Sequence, residues 1–229
     1  MYTNIFFDLD DTLWNFSENA YDSFAEVYAN FNFDRYFDSF DGFYTIYKEY
    51  NAALWIEYGN GEISKEELNR RRFCHPLESV GVYDEALAKS YSDDFFRLIP
   101  TKSKLLPYAK ETLEYLSGRY RLFILSNGFR ELQFQKMKSA GIEHYFEKVI
   151  LSEDIRVHKP HPEIFHFALS ATQSLLNESL MIGDSWEADI LGAKGVNMDQ
   201  VFLNPSNRPF SSFKPTYHIQ NLKEVLGIL

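Results

Sequence analysis

Short apolar runs alternate with longer amphipathic segments from about residue 100 to the end of the chain. Runs this short, bounded by polar segments, are typical of buried strands, whereas the apolar positions between them recur at helical spacing. Such runs occupy residues 4–7, 122–125, 148–151, 180–182 and 200–203. The alternation predicts an α/β fold, a Rossmann-like parallel sheet with helices on both faces.

Residues 15–98 break this alternation. Aromatic side chains are crowded there from Phe16 to Tyr58, many of them three or four positions apart, and no convincing strand is found. Such spacing predicts helices whose rings pack into a core, with one or two rings left to face a ligand. The sequence therefore predicts a helical subdomain over residues 15–98, inserted into an α/β core formed by residues 1–14 and 99–229.

Composition narrows the class of protein. The chain has 229 residues and a formal net charge of −10, which disfavours a nucleic-acid partner. No apolar run has the roughly 20 residues that a membrane span needs, and the start lacks the basic stretch of a signal peptide. With Cys74 as its one cysteine, the sequence indicates a cytoplasmic protein, expected as a monomer or weak homodimer with no membrane partner. The basic cluster Arg70-Arg71-Arg72 is interpreted as a solvated helix face.

Aspartates follow the first predicted strand. Residues two apart in a strand project to the same side, so Asp8 and Asp10 are expected to point together where the chain leaves the sheet. Their charges repel each other and lose solvation there. From these residues alone, the segment is either an acidic turn or a site whose charge is offset by a cation.

Polar residues also follow the other predicted strands. Ser126 and Asn127 come after one run, Asp184 and Asp189 after another, and Lys159 lies beyond a loop that follows a third. Singly, each has a simple interpretation as a turn, a helix cap or a surface lysine. In a parallel sheet, however, the carboxyl ends of the strands share one rim, and ligands bind at that rim.

Carboxylates gathered at this rim predict a metal site. Asp8, Asp184 and Asp189 offer hard oxygen ligands, which Mg²⁺ prefers, and the ion would offset the repulsion among them. The sequence therefore predicts Mg²⁺ as the cofactor, an ion that also accepts the phosphate oxygens of a small phosphorylated substrate.

Four short motifs, DLDDT, LSNG, KP and GDSWEAD, occur in this order along the predicted core. They resemble the four motifs of the haloacid dehalogenase superfamily. The resemblance implies that residues 15–98 are a helical cap of the C1 type. It also implies that Asp8 is the nucleophile, that Asp10 is the general acid and base, and that Lys159 bridges nucleophile and phosphate.

The same resemblance implies the remaining ligands. The transferring phosphoryl group would be held by Thr12, Ser126 and Asn127, together with Lys159. The Mg²⁺ site would comprise Asp8, the main-chain carbonyl of Asp10, Asp184 and Asp189.

Residues 125–169 are similar, well beyond these motifs, to one branch of the superfamily, the cytosolic nucleotidases and noncanonical-nucleotide phosphatases. The segment departs from that branch at Arg156-Val157-His158, where a glycine and small residues usually precede the lysine-proline. The similarity implies a Mg²⁺-dependent phosphomonoesterase with an aspartyl-phosphate intermediate, acting on nucleoside 5′-monophosphates. Predicted pocket residues are Trp14, Asn15, Phe16 and Gln133.

Other functions stay open at this point. A sugar-phosphate phosphatase or a phosphomutase resembling β-phosphoglucomutase would use the same core residues. Dehalogenation is less favoured, because a halide leaving group needs neither a proton from Asp10 nor Mg²⁺ at Asp184. A non-enzymatic phospho-aspartate receiver or binding protein is disfavoured, and receivers in particular lack a cap.

Overall fold

The predicted strands all belong to one parallel sheet. The structure is a computed structural model that describes residues 1–210 and 212–229. Its sheet has the strand order β3-β2-β1-β4-β5-β6, with every neighbouring pair parallel. The strands are β1 (Asn4–Phe7), β2 (Arg121–Ser126), β3 (Lys148–Leu151), β4 (Ser179–Gly183), β5 (Asp199–Leu203) and β6 (Tyr217–Ile219). The predicted fold class is therefore confirmed.

The edge strand β6 was missed by the sequence analysis. It pairs with β5, with Val201 opposite Tyr217 and Leu203 opposite Ile219. Of its three residues, only Ile219 is buried. A short edge strand with one buried side chain shows no apolar run, so the pattern that revealed the other strands is absent here.

Helices connect the strands and fill the long insertion. The longer ones are α1 (Phe16–Asn30), α2 (Phe40–Gly59), α3 (Lys65–Ser79), α4 (Glu85–Leu98), α5 (Ala109–Ser117), α6 (Arg130–Ser139) and α7 (Pro162–Thr172). A π-helix, Trp186–Leu191, runs into a short α-helical turn, Gly192–Gly195. Short 3₁₀ helices span Phe33–Arg35, Ile99–Thr101, Glu143–Tyr145, Ser152–Asp154, Leu176–Glu178 and Leu222–Gly227. Among the described residues, no helix has the length and apolar character needed to cross a membrane.

The chain divides into two compact units, and one of them holds the sheet. This unit comprises Met1–Phe16 and Ser103–Leu229. In its core, Phe6, Phe123 and Met181 of three adjacent strands pack with Phe165 of α7. Because β1 lies between β2 and β4, the carboxyl ends of these three strands are brought side by side, and they carry the predicted site residues.

The other unit, Ser17–Lys102, is helical and has an aromatic core. Phe24 of α1 lies at its centre, with the ring of Phe95 at 4.0 Å and that of Tyr47 at 4.3 Å between centroids. These rings are buried, so the prediction that the recurring aromatics form a core is confirmed for them.

One prediction for this unit is wrong. The cluster Arg70-Arg71-Arg72 is not a uniformly solvated face, because Arg72 is only 5% exposed. Its guanidinium donates to Asn51 and Asn69 and lies 5.2 Å from the centroid of the Phe96 ring. Adjacent helical residues point in directions about 100° apart, so three consecutive arginines cannot share one face.

Candidate active site

Three strand ends place polar side chains next to one another. Asp8 directly follows β1, Ser126 is the last residue of β2, and Asp184 directly follows β4. The main-chain N–H of Asp8 donates to the carbonyl of Ile182 at 2.9 Å, which extends the pairing of β1 with β4 as far as the site. The predicted rim is therefore present, and it lies entirely within the sheet-containing unit.

Lys159 reaches this rim from the loop between β3 and α7. Its Nζ donates to Oδ1 of Asp8 at 2.7 Å, to Oδ1 of Asp189 at 2.6 Å and to the carbonyl of Leu125 at 2.7 Å. All three donor positions of the ammonium are thus used. Although burial alone would lower it, the carboxylates of Asp189 and Asp8 raise the pKa of Lys159 above its ordinary value. The lysine is therefore a fixed positive charge at the base of the site.

Asn127 anchors the loop that carries Lys159. Its Nδ2 donates to the carbonyl of Lys159 at 2.9 Å, and its Oδ1 accepts from the main-chain N–H of Lys159 at 2.8 Å. Both polar atoms of the side chain are therefore engaged with the loop. What Asn127 can offer to a phosphoryl group is its main chain rather than its amide side chain.

Asp189 is positioned by the π-helix that follows β4. It is fully buried, with Oδ1 bonded to Lys159 and Oδ2 accepting from the main-chain N–H of Ser185 at 3.1 Å. The carboxylate packs so tightly on Gly183 that a Cβ there would lie 2.2 Å from Oδ2. Only glycine fits at position 183, because any side chain would displace Asp189 and with it a partner of Lys159.

Thr12 is bonded to Asp184 in both directions. Its hydroxyl donates to Oδ1 of Asp184 at 3.0 Å and accepts from the main-chain N–H of Asp184 at 3.1 Å. The Thr12 hydroxyl therefore links the loop after β1 to the loop after β4, and its contact with phosphate stays a prediction.

Ser126 can offer its hydroxyl proton to a ligand. The oxygen accepts from the main-chain N–H of Gly128 at 3.1 Å and from Nε2 of Gln133 at 2.8 Å. A hydroxyl has two acceptor positions and one donor, so both acceptor positions are filled. The geometry thus suits Ser126 as a donor to an anion.

Asp10 is bonded to helix α6 rather than to the residues around Asp8. Its Oδ1 accepts from Nζ of Lys136 at 2.7 Å, and its Oδ2 accepts from Nε2 of Gln133 at 2.9 Å. Gln133 was predicted to line a substrate pocket, but it is fully buried, and both hydrogens of its amide nitrogen are donated to Asp10 and Ser126. It therefore connects these two residues and has no surface for a substrate.

Sequence reasoning missed Lys136. The available signal was its spacing of three residues from Gln133 on a predicted helix, which puts both side chains on one face. Two predicted pocket residues lie beside it: the ring centroids of Trp14 and Phe16 are 4.7 Å and 5.1 Å from its Nζ. Asn15, between them, is half-buried and donates its main-chain N–H to the carbonyl of Lys104.

The acidic residues fit a divalent cation. Asp8, Asp184 and Asp189 each present one ligand atom, and these atoms lie within 4.8 Å of one another. Burial and the neighbouring Asp189 and Asp11 raise the pKa of Asp184 to about 7, and burial raises the pKa of Asp8. A cation among these oxygens would favour their ionised forms. The donor set therefore matches the hard, oxygen-liganded Mg²⁺.

The loop before Lys159 has an unusual backbone at Arg156. This residue has a φ of 57°, in the left-handed region that favours glycine. The position is one where the sequence departs from the glycine usual in its branch. The loop thus keeps a glycine-like backbone with an arginine in it.

A family model and several known proteins resemble this chain over most of its length. Residues 2–197 match the model of a family described as haloacid dehalogenase-like hydrolase. The chain is 30% identical to pyrimidine 5′-nucleotidase YjjG of Escherichia coli (strain K12), over 98% of this chain and 96% of that protein. It is 34% identical to a glyceraldehyde 3-phosphate phosphatase of Pyrococcus abyssi (strain GE5 / Orsay), over 87% of this chain and 80% of the other.

A solved structure is also similar. The HAD-hydrolase YfnB from Bacillus subtilis, bound to magnesium, shares 25% sequence identity with a TM-score of 0.89. The match covers 99% of this chain and 98% of that one. The similarity therefore extends over both units of the chain.

Proposed function

The chain belongs to the haloacid dehalogenase-like hydrolase family, and from that premise we propose that it is a Mg²⁺-dependent phosphomonoesterase acting on nucleoside 5′-monophosphates. The observation that carries the reaction class is Lys159, a buried ammonium bonded to Asp8, to Asp189 and to the carbonyl of Leu125, which directly precedes Ser126. A carboxylate nucleophile beside fixed positive charge and a hydroxyl donor is suited to attack on a phosphate ester, whose own charge repels nucleophiles.

Two carboxylates divide the chemistry. Asp8 attacks phosphorus as the bond to the ester oxygen breaks, which gives an aspartyl phosphate. Asp10 gives its proton to the departing oxygen and then takes one from the water that attacks the same phosphorus, which releases phosphate and restores Asp8. Asp10 suits this proton transfer because its side chain is 27% exposed, whereas that of Asp8 is 12% exposed.

Positive charge and donors hold the phosphoryl group during both steps. Lys159 neutralises charge at the nucleophile, Ser126 donates its hydroxyl proton, and the main chain at Asn127 completes the cradle. Asp8, Asp184, Asp189 and the main-chain carbonyl of Asp10 would hold Mg²⁺, which would supply further charge neutralisation. Thr12 acts indirectly in this scheme, by fixing the loop that carries Asp184.

Nucleotides are proposed as substrates because the similarity to the Escherichia coli pyrimidine 5′-nucleotidase extends over 98% of the chain. It thus includes the helical unit, which we propose to be the cap that selects the substrate. A small sugar phosphate is the second candidate, since the glyceraldehyde 3-phosphate phosphatase has higher identity over a smaller share of the chain. Dehalogenation would not require Asp10 as a general acid, because a halide leaves without a proton.

A phosphate-release screen tests the proposal. Purified protein is given pyrimidine and purine nucleoside 5′-monophosphates, glyceraldehyde 3-phosphate and 2-chloropropionate, with Mg²⁺ or with EDTA, and the Asp8→Asn variant serves as the blank. We expect release from nucleotides that requires Mg²⁺ and is absent in the variant. Preference for the triose phosphate would support the second candidate. Chloride release without phosphate release would overturn the proposed reaction class.

A further inference from the structure

Both carboxylate oxygens of Asp10 receive a donor from the same face of α6. Lys136 bonds Oδ1 and Gln133 bonds Oδ2, and the two donors are three residues apart on the helix. A carboxylate bonded at one oxygen can still swing about that contact. Bonds to both oxygens from one rigid helix fix its plane as well as its position.

Lys136 is a buried residue, not a surface lysine that extends towards Asp10. The residue is 3% exposed, and its ammonium lies over the rings of both Trp14 and Phe16, at 4.7 Å and 5.1 Å from their centroids. A buried ammonium loses its hydration, so it must be compensated by an opposite charge and by other polar contacts. Asp10 supplies that charge at 2.7 Å, and the two aromatic faces add cation–π attraction.

The side chain of Gln133 is also tightly packed, as that of Lys136 is. A Cβ at Gly128 would lie 2.1 Å from Nε2 of Gln133, so the amide is packed directly against the chain that leaves β2. The same nitrogen joins Asp10 to Ser126. The orientation of the Asp10 carboxylate is thereby linked to the end of the neighbouring strand.

We propose that Lys136, assisted by Gln133, is a positioning residue that orients the Asp10 carboxylate for proton transfer. The inference rests on the proposed phosphomonoesterase function, in which Asp10 carries the proton. Lys136 keeps its own proton throughout. Asp10 protonates the ester oxygen as the O–P bond breaks, and it regains a proton from water as the acyl-phosphate bond breaks, so the proton balance closes without the lysine.

The position of the donors supports a role in orientation. Each carboxylate oxygen has two lone-pair positions, and α6 occupies one on each. The other lone-pair positions of Asp10 can be reached by a ligand, because its side chain is partly exposed. A general acid must come within about 2.6–3.2 Å of the oxygen that it protonates. With one donor fixed on each carboxylate oxygen, the remaining lone-pair positions are held in a set orientation for the oxygen that Asp10 protonates.

The test compares two esters with different needs for an acid. Wild type, Lys136→Met, Lys136→Arg and Lys138→Met are given a nucleoside 5′-monophosphate and p-nitrophenyl phosphate, and the rate of enzyme phosphorylation is measured in single turnover. Nitrophenolate leaves without a proton, whereas the nucleoside alkoxide needs one. Lys138 is an exposed lysine on the same helix and provides the matched control.

We expect Lys136→Met to slow phosphorylation by the nucleotide about 10- to 100-fold, the penalty for a misplaced catalytic group, and to leave the aryl phosphate nearly unaffected. Lys136→Arg, which restores a donor and a charge, should recover most of the rate, and Lys138→Met should match wild type. If Lys136→Met slows phosphorylation by both esters equally, or by neither, the inference is overturned. Phosphate release by wild type would still uphold the proposed function in that case. A wild type inactive on every ester would overturn both.

A double-mutant cycle separates positioning from general damage to the fold. In an Asp10→Asn background, Lys136→Met should add no further loss, because its partner carboxylate is already gone. A loss equal to that seen with Asp10 intact would contradict action through Asp10. If Lys136→Met does not fold, Gln133→Leu removes the other donor and should show the same selective loss; an unselective loss would again contradict the inference.

Discussion

Asp8 and Asp10 are two residues apart, yet their surroundings come from different parts of the chain. Asp8 is buried and shares the ammonium of Lys159 with Asp189, and this lysine belongs to the loop after β3. Asp10 is partly exposed and has Lys136 of α6 as its own partner. A lysine shared by two carboxylates neutralises accumulated charge, whereas a one-to-one pair orients a single carboxylate. Under the proposed function, the same pair of residue types therefore has two different tasks, although Asp8 and Asp10 lie in one loop.

Of the substitutions that distinguish Asp8 from Asp10, removing the Asp8 carboxylate should reduce activity the most. Asp8→Asn keeps the size of the side chain but abolishes the nucleophile, so we expect turnover to fall to background while the fold survives. Steady-state phosphate release and circular dichroism provide the measurements, with mass spectrometry to exclude deamidation back to aspartate. Residual activity above a few per cent in intact variant would assign the nucleophile to another residue.

Changing Asp10 should be costly only where a proton is required. Loss of a general acid typically lowers the rate about 10²- to 10⁴-fold. We expect Asp10→Asn to show such a loss in single-turnover phosphorylation by a nucleotide and a much smaller one with p-nitrophenyl phosphate. A uniform loss on the two esters would mean that Asp10 and Asp8 share one role rather than two.

The two lysines should differ in what they contribute to stability. Lys159→Met leaves Asp8 and Asp189 facing each other without their shared cation, and breaking a buried pair costs about 3–5 kcal/mol. Lys136→Met should cost less, about 1–3 kcal/mol, because Asp10 keeps Gln133 and is partly solvated. At about 2–4 °C per kcal/mol, thermal melts in EDTA resolve the two variants. Equal losses of Tm in the two variants would show that the two lysines contribute equally to stability.

Metal binding should depend on the Asp8 region. Ligand at a hundred times its Kd stabilises a native protein by about 2.7 kcal/mol, and we expect Mg²⁺ to raise the Tm of wild type by roughly 5–10 °C. Asp184→Ala should lose most of that rise, whereas Glu187→Ala, which removes an exposed carboxylate of the following π-helix, should keep it. Melts across a Mg²⁺ titration at constant ionic strength decide this, and a full rise in Asp184→Ala would place the ion elsewhere.

Without metal, the same carboxylate should weaken the fold at high pH. Because the pKa of Asp184 is raised from 3.8 to about 7 in the folded chain, its contribution to stability falls as pH rises through that interval. At pH 8 in EDTA, Asp184→Ala should therefore be no less stable than wild type. A clear loss of Tm in the variant under these conditions would show that its bonds to Thr12 outweigh the repulsion.

The smallest effect is expected in the loop that delivers Lys159. A non-glycine residue in the left-handed region destabilises the fold by about 1–2 kcal/mol, and glycine removes that strain. Glycine itself lowers stability by about 0.5–1 kcal/mol, because it makes the unfolded chain more flexible. Arg156→Gly should therefore raise the unfolding free energy by at most about 1.5 kcal/mol. Urea denaturation measures it, and a marked loss of stability would show that the arginine side chain contributes contacts of its own.

Much of the sheet and its rim could be predicted from the sequence. Apolar runs mark the central strands because both faces of a parallel sheet are buried. Strand ends then bring Asp8, Ser126 and Asp184 together by topology alone. The edge strand β6 escapes this reasoning, since its burial is one-sided and short.

Side-chain partners were harder to predict. Lys136 and Gln133 look like ordinary polar residues of an amphipathic helix, and only the packing of α6 against the first loop shows that they bond Asp10. Arg72 was likewise taken as solvated, because its neighbours in the sequence are charged as well. The apolar stripe of a helix indicates its buried face, but it does not show which polar residues of that helix are buried with a partner from another segment.

The central claim is that Asp8 attacks phosphorus, and its most direct measurement is the identity of the covalent intermediate. Protein mixed with excess nucleoside 5′-monophosphate and Mg²⁺ is quenched in acid within the first turnover, and the phosphorylated peptide is mapped by mass spectrometry. We predict an acyl phosphate on Asp8 that appears and decays at rates consistent with turnover and is absent from Asp8→Asn. Phosphate release at the full rate with no label on Asp8, or with label on another residue, would contradict the account.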